Sequence, residues 1–159
     1  MKIYQSFSSE ETKRLGEKLA RKIAKGGARK GAKNALVFGL VGELGSGKTT
    51  FVQGFFRGLG IKRAASPTFI IIRRTALKNK KFRNVFHVDA YRIKKPKELS
   101  VLGFRDILKN PQNIVIIEWA EKIKRILPKK VFWLRFKHGK KENERKISRE
   151  GAVMARLGV

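Results

Sequence analysis

The sequence predicts a three-layer α/β fold, a single domain over residues 1–159 whose central sheet is mixed, mostly parallel and carries a β-hairpin insertion. Three observations carry this expectation. Residues 35–41 (Ala-Leu-Val-Phe-Gly-Leu-Val) form an apolar run of strand length, and residues 50–59 read as a helix that stops at Gly60. Between them stands Gly42-Glu43-Leu44-Gly45-Ser46-Gly47-Lys48-Thr49, a complete G-x-x-x-x-G-K-[ST] loop in the strand–loop–helix context that this pattern requires. Residues 114–117 (Ile-Val-Ile-Ile) are continuously apolar, as expected of a strand covered on both faces. The arrangement is P-loop NTPase-like, and a chain of 159 residues has room for one such core but not two.

The remaining elements follow in order. Ser8 and Glu11 stand three apart ahead of an amphipathic pattern, the signature of a capping box. Leu15, Leu19 and Ile23 recur every four residues, so a helix is expected over 9–25, ended by Gly26 and Gly27. Residues 28–34 form a basic loop before the first core strand. Past the loop helix, Ser66-Pro67 introduces Thr68-Phe69-Ile70-Ile71-Ile72, a β-branched strand signal. A polar break at 78–81 and a second run at 82–88 make the pair a hairpin. Pro96 suits the first turn of a short helix, and Gly103 separates it from another piece at 104–109. Strands at 131–136 and near 146–148 close the sheet through a polar loop at 137–144. No repeat or linker interrupts the chain, and the last nine residues or so are expected to be loosely ordered.

Composition narrows the function classes. There is no cysteine, which excludes disulfides and cysteine-based metal or catalytic sites. The N-terminus turns polar at once, unlike a signal peptide, and no apolar run reaches membrane-spanning length, so a cytoplasmic protein is expected with no membrane partner. Charge is the unusual feature: 39 Lys and Arg against 12 Asp and Glu, a formal net charge of +27. One reading is a polyanion partner, most simply RNA, bound through phosphate contacts. The other is a diffuse lysine excess on solvated faces, since basic residues run from Lys13 to Arg149 without one dense block. Both stay open.

The loop dictates specific chemistry. Gly42, Gly45 and Gly47 tolerate backbone conformations that a Cβ resists, which lets the amides around Ser46 wrap a phosphate at the positive end of the new helix. Lys48 reaches the β- and γ-phosphates, Thr49 ligates Mg²⁺, and Thr50 donates to the α-phosphate. Hydrolysis needs a carboxylate at the end of a neighbouring strand. Glu118 follows the run at 114–117 and takes that role, with Asp89, after Val85-Phe86-His87-Val88, as a second acidic group. Thr68 is either a switch hydroxyl or a plain turn residue. His87 reads as a strand residue with a satisfied ring, since two histidines in the whole chain make no metal site. Trp119 and Trp133 read as core residues, although Trp119 adjoins Glu118.

Together these motifs resemble the TsaE family, the P-loop ATPases of bacterial tRNA threonylcarbamoyladenosine biosynthesis. The resemblance rests on the loop with Thr50-Phe51, then Ser66-Pro67-Thr68-Phe69, His87-Val88-Asp89-Ala90-Tyr91-Arg92, Leu102-Gly103-Phe104 and Ile117-Glu118-Trp119, in that order. Thr12-x-x-Leu15-Gly16 fits the family's N-terminal helix, whose threonine lies near the nucleotide. The resemblance implies ATP and Mg²⁺ as cofactors, with Gly45, Ser46, Gly47, Lys48, Thr49 and Thr50 on the phosphates. It implies Glu118 and Thr49 on the metal, Thr68 and Asp89 in support of hydrolysis, and Trp119 at the site or a partner interface. The implied partner is a TsaD–TsaB complex, with tRNA bound within it.

Three segments depart from the family pattern. Ala120 stands where proline follows the tryptophan, Arg73-Arg74-Thr75 replaces a segment that is commonly acidic or aromatic, and Gly139-Lys140-Lys141 matches the late glycine-arginine turn only loosely. The rival readings are a small P-loop kinase and a basic RNA-binding module that uses nucleotide only structurally.

Overall fold

The computed structural model describes residues 3–26, 31–62 and 71–150. The expected turn at Ser66-Pro67, with Thr68, and the chain end past Glu150 lie outside the described residues. Strands β1 (Ile3–Ser6), β2 (Leu36–Gly42), β3 (Ile72–Ala76), β4 (Asn84–Asp89), β5 (Asn113–Glu118), β6 (Val131–His138) and β7 (Arg145–Glu150) form one sheet in the order β1-β7-β6-β2-β5-β4-β3. The helices are α1 (Ser9–Lys25), α2 (Lys48–Gly58), α3 (Lys97–Val101) and α4 (Phe104–Lys109), with a 3₁₀ segment at Ala120–Ile126. The sheet is mixed: β4 and β5 run parallel, whereas β3–β4, β6–β7 and β1–β7 are antiparallel.

Contacts divide the described residues into two compact units. One contains residues 3–26, 40–62 and 132–150, the other 31–39 and 71–131. Strand β2 passes from the second into the first.

In the first unit, α1 forms where its spacing predicts. Ser8 Oγ accepts from the Glu11 amide at 3.1 Å, a cap worth about 1 kcal/mol. Glu11 reaches back one residue further than in an ordinary capping box, its Oε2 accepting from Phe7 N at 2.7 Å. Leu19, Ala20 and Ile23 are buried, as are Phe51, Val52, Phe55 and Phe56 of α2. The two helices pack almost backbone to backbone. A Cβ on Gly16 would fall on the Phe51 carbonyl, and one on Gly54 on the Lys13 carbonyl. Phe51 also meets the Phe136 ring of β6 edge-on, with centroids 5.5 Å apart. Arg57 closes the outer side of the helix pair with ion pairs to Glu10 at 3.0 Å and Glu17 at 2.6 Å. Strand β1, too short and mixed to signal itself, pairs with β7 from Ile3 opposite Ser148 to Ser6 opposite Arg145.

The second unit is organised by β5. Ile114, Val115, Ile116 and Ile117 are fully buried, so the continuous apolar run behaves as expected. A hairpin forms between β3 and β4, but its first strand begins at Ile72, where the predicted run at 68–72 ends, and residues 68–70 lie outside the described residues. Strand β4 is not confined to that hairpin, because its other edge pairs with β5 from Asn84 opposite Asn113 to Asp89 opposite Glu118. Buried Asn113 ties the far end of these strands together, accepting from Asn84 Nδ2 at 2.9 Å and donating to the Ile107 carbonyl at 3.0 Å. Pro96 takes the cap position of α3 rather than its first turn, and α4 spans the expected 104–109.

Candidate functional site

The phosphate loop is built by the first unit. Strand β2 ends at Gly42 and α2 starts at Lys48, two residues earlier than its sequence pattern suggests. Gly47 caps α2 with φ 97°, and Gly45 has φ 72°. Both lie in the left-handed region that glycine alone enters without strain. Phe51 N donates to the Gly47 carbonyl at 2.9 Å, closing the first turn of α2 on its cap. The first turn holds no acidic residue to offset its positive end.

Lys48 is 4 % exposed. Its Nζ donates to the Gly42 and Glu43 carbonyls at 2.7 Å each and lies 3.4 Å from Ser46 Oγ. The ammonium is thus held inside the loop's curve by loop oxygens. Ser46 is buried, Thr50 half-buried and Thr49 exposed at the helix start. Left-handed glycines at the start of a helix and a retained ammonium fit a phosphate group, which would exchange its oxygens for the carbonyls now on Lys48.

Other residues of the same unit surround the loop. Thr12 is 1 % exposed, and its Oγ1 shares a 2.7 Å hydrogen bond with Ser6 Oγ, also buried. Its methyl group lies 3.6 Å from where a Cβ on Gly47 would stand. His138 and Arg145, at the end of the β6–β7 hairpin, contact the loop carbonyls of Leu44 and Gly45. Sequence reasoning missed both. They fall at the rim of a segment read as a polar loop, and no spacing rule marks them.

The second unit builds the acidic part. Asp89 and Glu118 are register partners at the same end of adjacent parallel strands, the end at which ligands of α/β sheets collect. Glu118 is 4 % exposed, and its Oε1 lies 2.8 Å from Nε2 of His87, itself 2 % exposed. A carboxylate only accepts, so Nε2 carries the proton. The ring fixes the rotation of the carboxylate, and the expectation of a satisfied strand histidine holds. Asp89 is half-buried and accepts from the Tyr91 amide at 3.0 Å, while the Glu118 carbonyl accepts from Ala90 N at 3.0 Å.

Trp119 adopts φ 57°, the left-handed region, as the chain leaves β5. Its ring packs against Tyr91 at a tilt of 48° with centroids 4.9 Å apart, and Lys122 Nζ lies 4.8 Å from the Tyr91 centroid. Neither Trp119 nor Trp133 is a core residue: both are half-buried. Ala120, which stands where the family pattern has proline, is buried at the start of the 3₁₀ segment.

A divalent ion would have to be shared. Among the described residues no group of three or more His, Cys, Asp or Glu side chains could hold a metal. One carboxylate completed by a hydroxyl, phosphate oxygens and water is a donor set that Mg²⁺ takes beside a nucleotide, and Glu118 fits it. No helix among the described residues is long and apolar enough to cross a membrane.

Comparison with known proteins converges on one family. The family model "Threonylcarbamoyl adenosine biosynthesis protein TsaE" matches residues 6–147. The tRNA threonylcarbamoyladenosine biosynthesis protein TsaE of Haemophilus influenzae is 36% identical over 116 residues, 72% of this chain and 68% of that protein. The protein of the same name from Bacillus subtilis is 37% identical over 126 residues, 79% of this chain and 70% of its own length. The crystal structure of YdiB from Bacillus subtilis superposes with a TM-score of 0.71 at 30% identity, covering 99% of this chain and 90% of that one. That likeness matches the P-loop NTPase-like fold built above, and the family match spans the elements carrying both the loop and the acidic strand ends. The chain belongs to the TsaE family.

Proposed function

We propose that this chain is a single-domain ATPase of tRNA threonylcarbamoyladenosine biosynthesis, binding ATP with Mg²⁺ in the cytoplasm and acting on a TsaD–TsaB complex to sustain its turnover. The observation that carries this reading is Lys48, buried at the start of α2 in a loop of left-handed glycines. The threonylcarbamoyl transfer itself belongs to the partner.

In this account the amides of Gly45, Ser46 and Gly47 hold the phosphates, and Lys48 neutralises charge on the transferring phosphoryl group. Thr50 donates to the α-phosphate, and Thr12 borders the nucleotide beside Gly47. Thr49 and Glu118 hold the metal, and Asp89, Thr68 or both position the attacking water. Trp119 shapes the site or a partner surface. Bound Mg²⁺ supplies further charge neutralisation on the phosphates. Such catalysis is chiefly positioning and electrostatics. The net charge of +27 supports one addition, direct contact with tRNA inside the complex. That contact requires RNA affinity to fall as salt is added.

The test is ATP hydrolysis by the purified chain, alone and with TsaD, TsaB and tRNA, beside Glu118→Ala. Stimulation by the partners that Glu118→Ala abolishes is the expected result. Turnover indifferent to the partners would remove the pathway role, and phosphate transfer only to an added small acceptor would make the protein a kinase.

A further inference from the structure

His138 and Arg145 are register partners at the turn end of the β6–β7 hairpin, and they touch successive carbonyls of the phosphate loop. His138 Nε2 lies 3.1 Å from the Leu44 oxygen, and Arg145 Nε donates to the Gly45 oxygen at 3.2 Å. Arg145 Nη1 donates to the carbonyls of Glu142 at 2.6 Å and Glu144 at 2.9 Å. All three guanidinium contacts are therefore neutral carbonyls. Among the described residues Arg145 makes no ion pair, whereas Arg57 of the same unit is matched by two carboxylates. Arg145 Cγ stands 3.6 Å from where a Cβ on Gly47 would be.

The hairpin is itself locked. The Glu144 carboxylate accepts from the Lys140 and Lys141 amides at 2.8 and 3.3 Å, which holds it below the usual carboxylate range. A cation pinned at a loop shaped for phosphate, with no carboxylate among the described residues paired to it, is preorganised for an anionic ligand.

We infer that Arg145 is a nucleotide-binding residue whose guanidinium meets the phosphate charge, and that His138 is a positioning residue holding the loop through Leu44. The inference rests on the ATP-binding reading. It is tested by titrating the whole chain and its Arg145→Ala, Arg145→Gln and Arg145→Lys variants with ATP and, in competition, with adenosine. Arg145→Ala and Arg145→Gln weaken ATP about 10- to 100-fold, the scale of one charge-assisted hydrogen bond, and leave adenosine unchanged. Arg145→Lys recovers part of the loss, and His138→Ala loses less than Arg145→Ala. Unchanged ATP affinity, or equal losses for ATP and adenosine, would overturn the inference. Melting curves accompany the titrations, and Arg145→Gln decides if Arg145→Ala does not fold. A wild-type chain that fails to bind ATP would instead overturn the underlying reading.

Discussion

The phosphate loop and the acidic strand ends hold charge in different ways. In the loop the chemistry is largely backbone: glycines at φ 72° and 97° set its curve, and Lys48 is fixed by carbonyls. At the ends of β4 and β5 it is side chain on side chain, with His87 gripping Glu118 and Asp89 brought alongside by register. A backbone site fails when a conformation is blocked, whereas a side-chain site fails when one partner is lost. The two parts should therefore respond differently to substitution.

The largest expected effect is on turnover. Lys48→Ala and Glu118→Gln should each lower ATP hydrolysis by roughly 100-fold or more, since each removes charge stabilisation at the phosphoryl group or metal. A phosphate-release assay on folded variants checks this, and near wild-type rates in either would take that residue out of the site.

Next is Gly42→Ala. Gly42 has φ 148°, and a Cβ there would collide with the Phe136 carbonyl of β6. Overpacking against backbone costs about 1–3 kcal/mol, so the melting temperature should fall by several degrees and ATP binding should weaken with it. Unchanged melting would show that the loop's geometry does not depend on that approach.

His87→Gln sharpens the other half of the comparison. His87 acts through Glu118, so kcat should drop about tenfold, in line with a misplaced catalytic group, while ATP affinity measured by titration stays within about twofold. Equal loss of affinity would mean that His87 supports the fold rather than the carboxylate.

Glu144→Gln should give the smallest effect. Folding lowers the Glu144 pKa, through the amides of Lys140 and Lys141. Its stabilisation is therefore complete above the unfolded-chain carboxylate value and lost as pH falls through the lower folded value. The difference in melting temperature between wild type and variant should be present at neutral pH and vanish in acid. A constant difference across that range would exclude the carboxylate as its source.

What was legible in the sequence follows the same division. The glycine spacing and Lys48-Thr49 identified the loop, because backbone requirements leave residue-type signatures at fixed offsets. Glu118 was legible because the run at 114–117 is buried throughout. The run before Asp89 reads as half of a hairpin, which it is, but β4 also pairs with β5 on its other edge, and pairing between residues 29 positions apart, such as Asp89 and Glu118, leaves no local trace. Strand β1 escaped notice because its four residues mix Ile3 at 55% exposure with buried Ser6. His138 and Arg145 were invisible for a related reason. Their role comes from a hairpin that returns to the loop about 100 residues later.

The most direct test of the account is equilibrium binding of ATP to wild type, Lys48→Ala and Glu118→Gln, measured side by side in excess Mg²⁺. The account predicts that Lys48→Ala loses most of the affinity, while Glu118→Gln binds ATP but does not hydrolyse it. Wild-type affinity in Lys48→Ala would contradict it, because the nucleotide would then be held somewhere other than the loop.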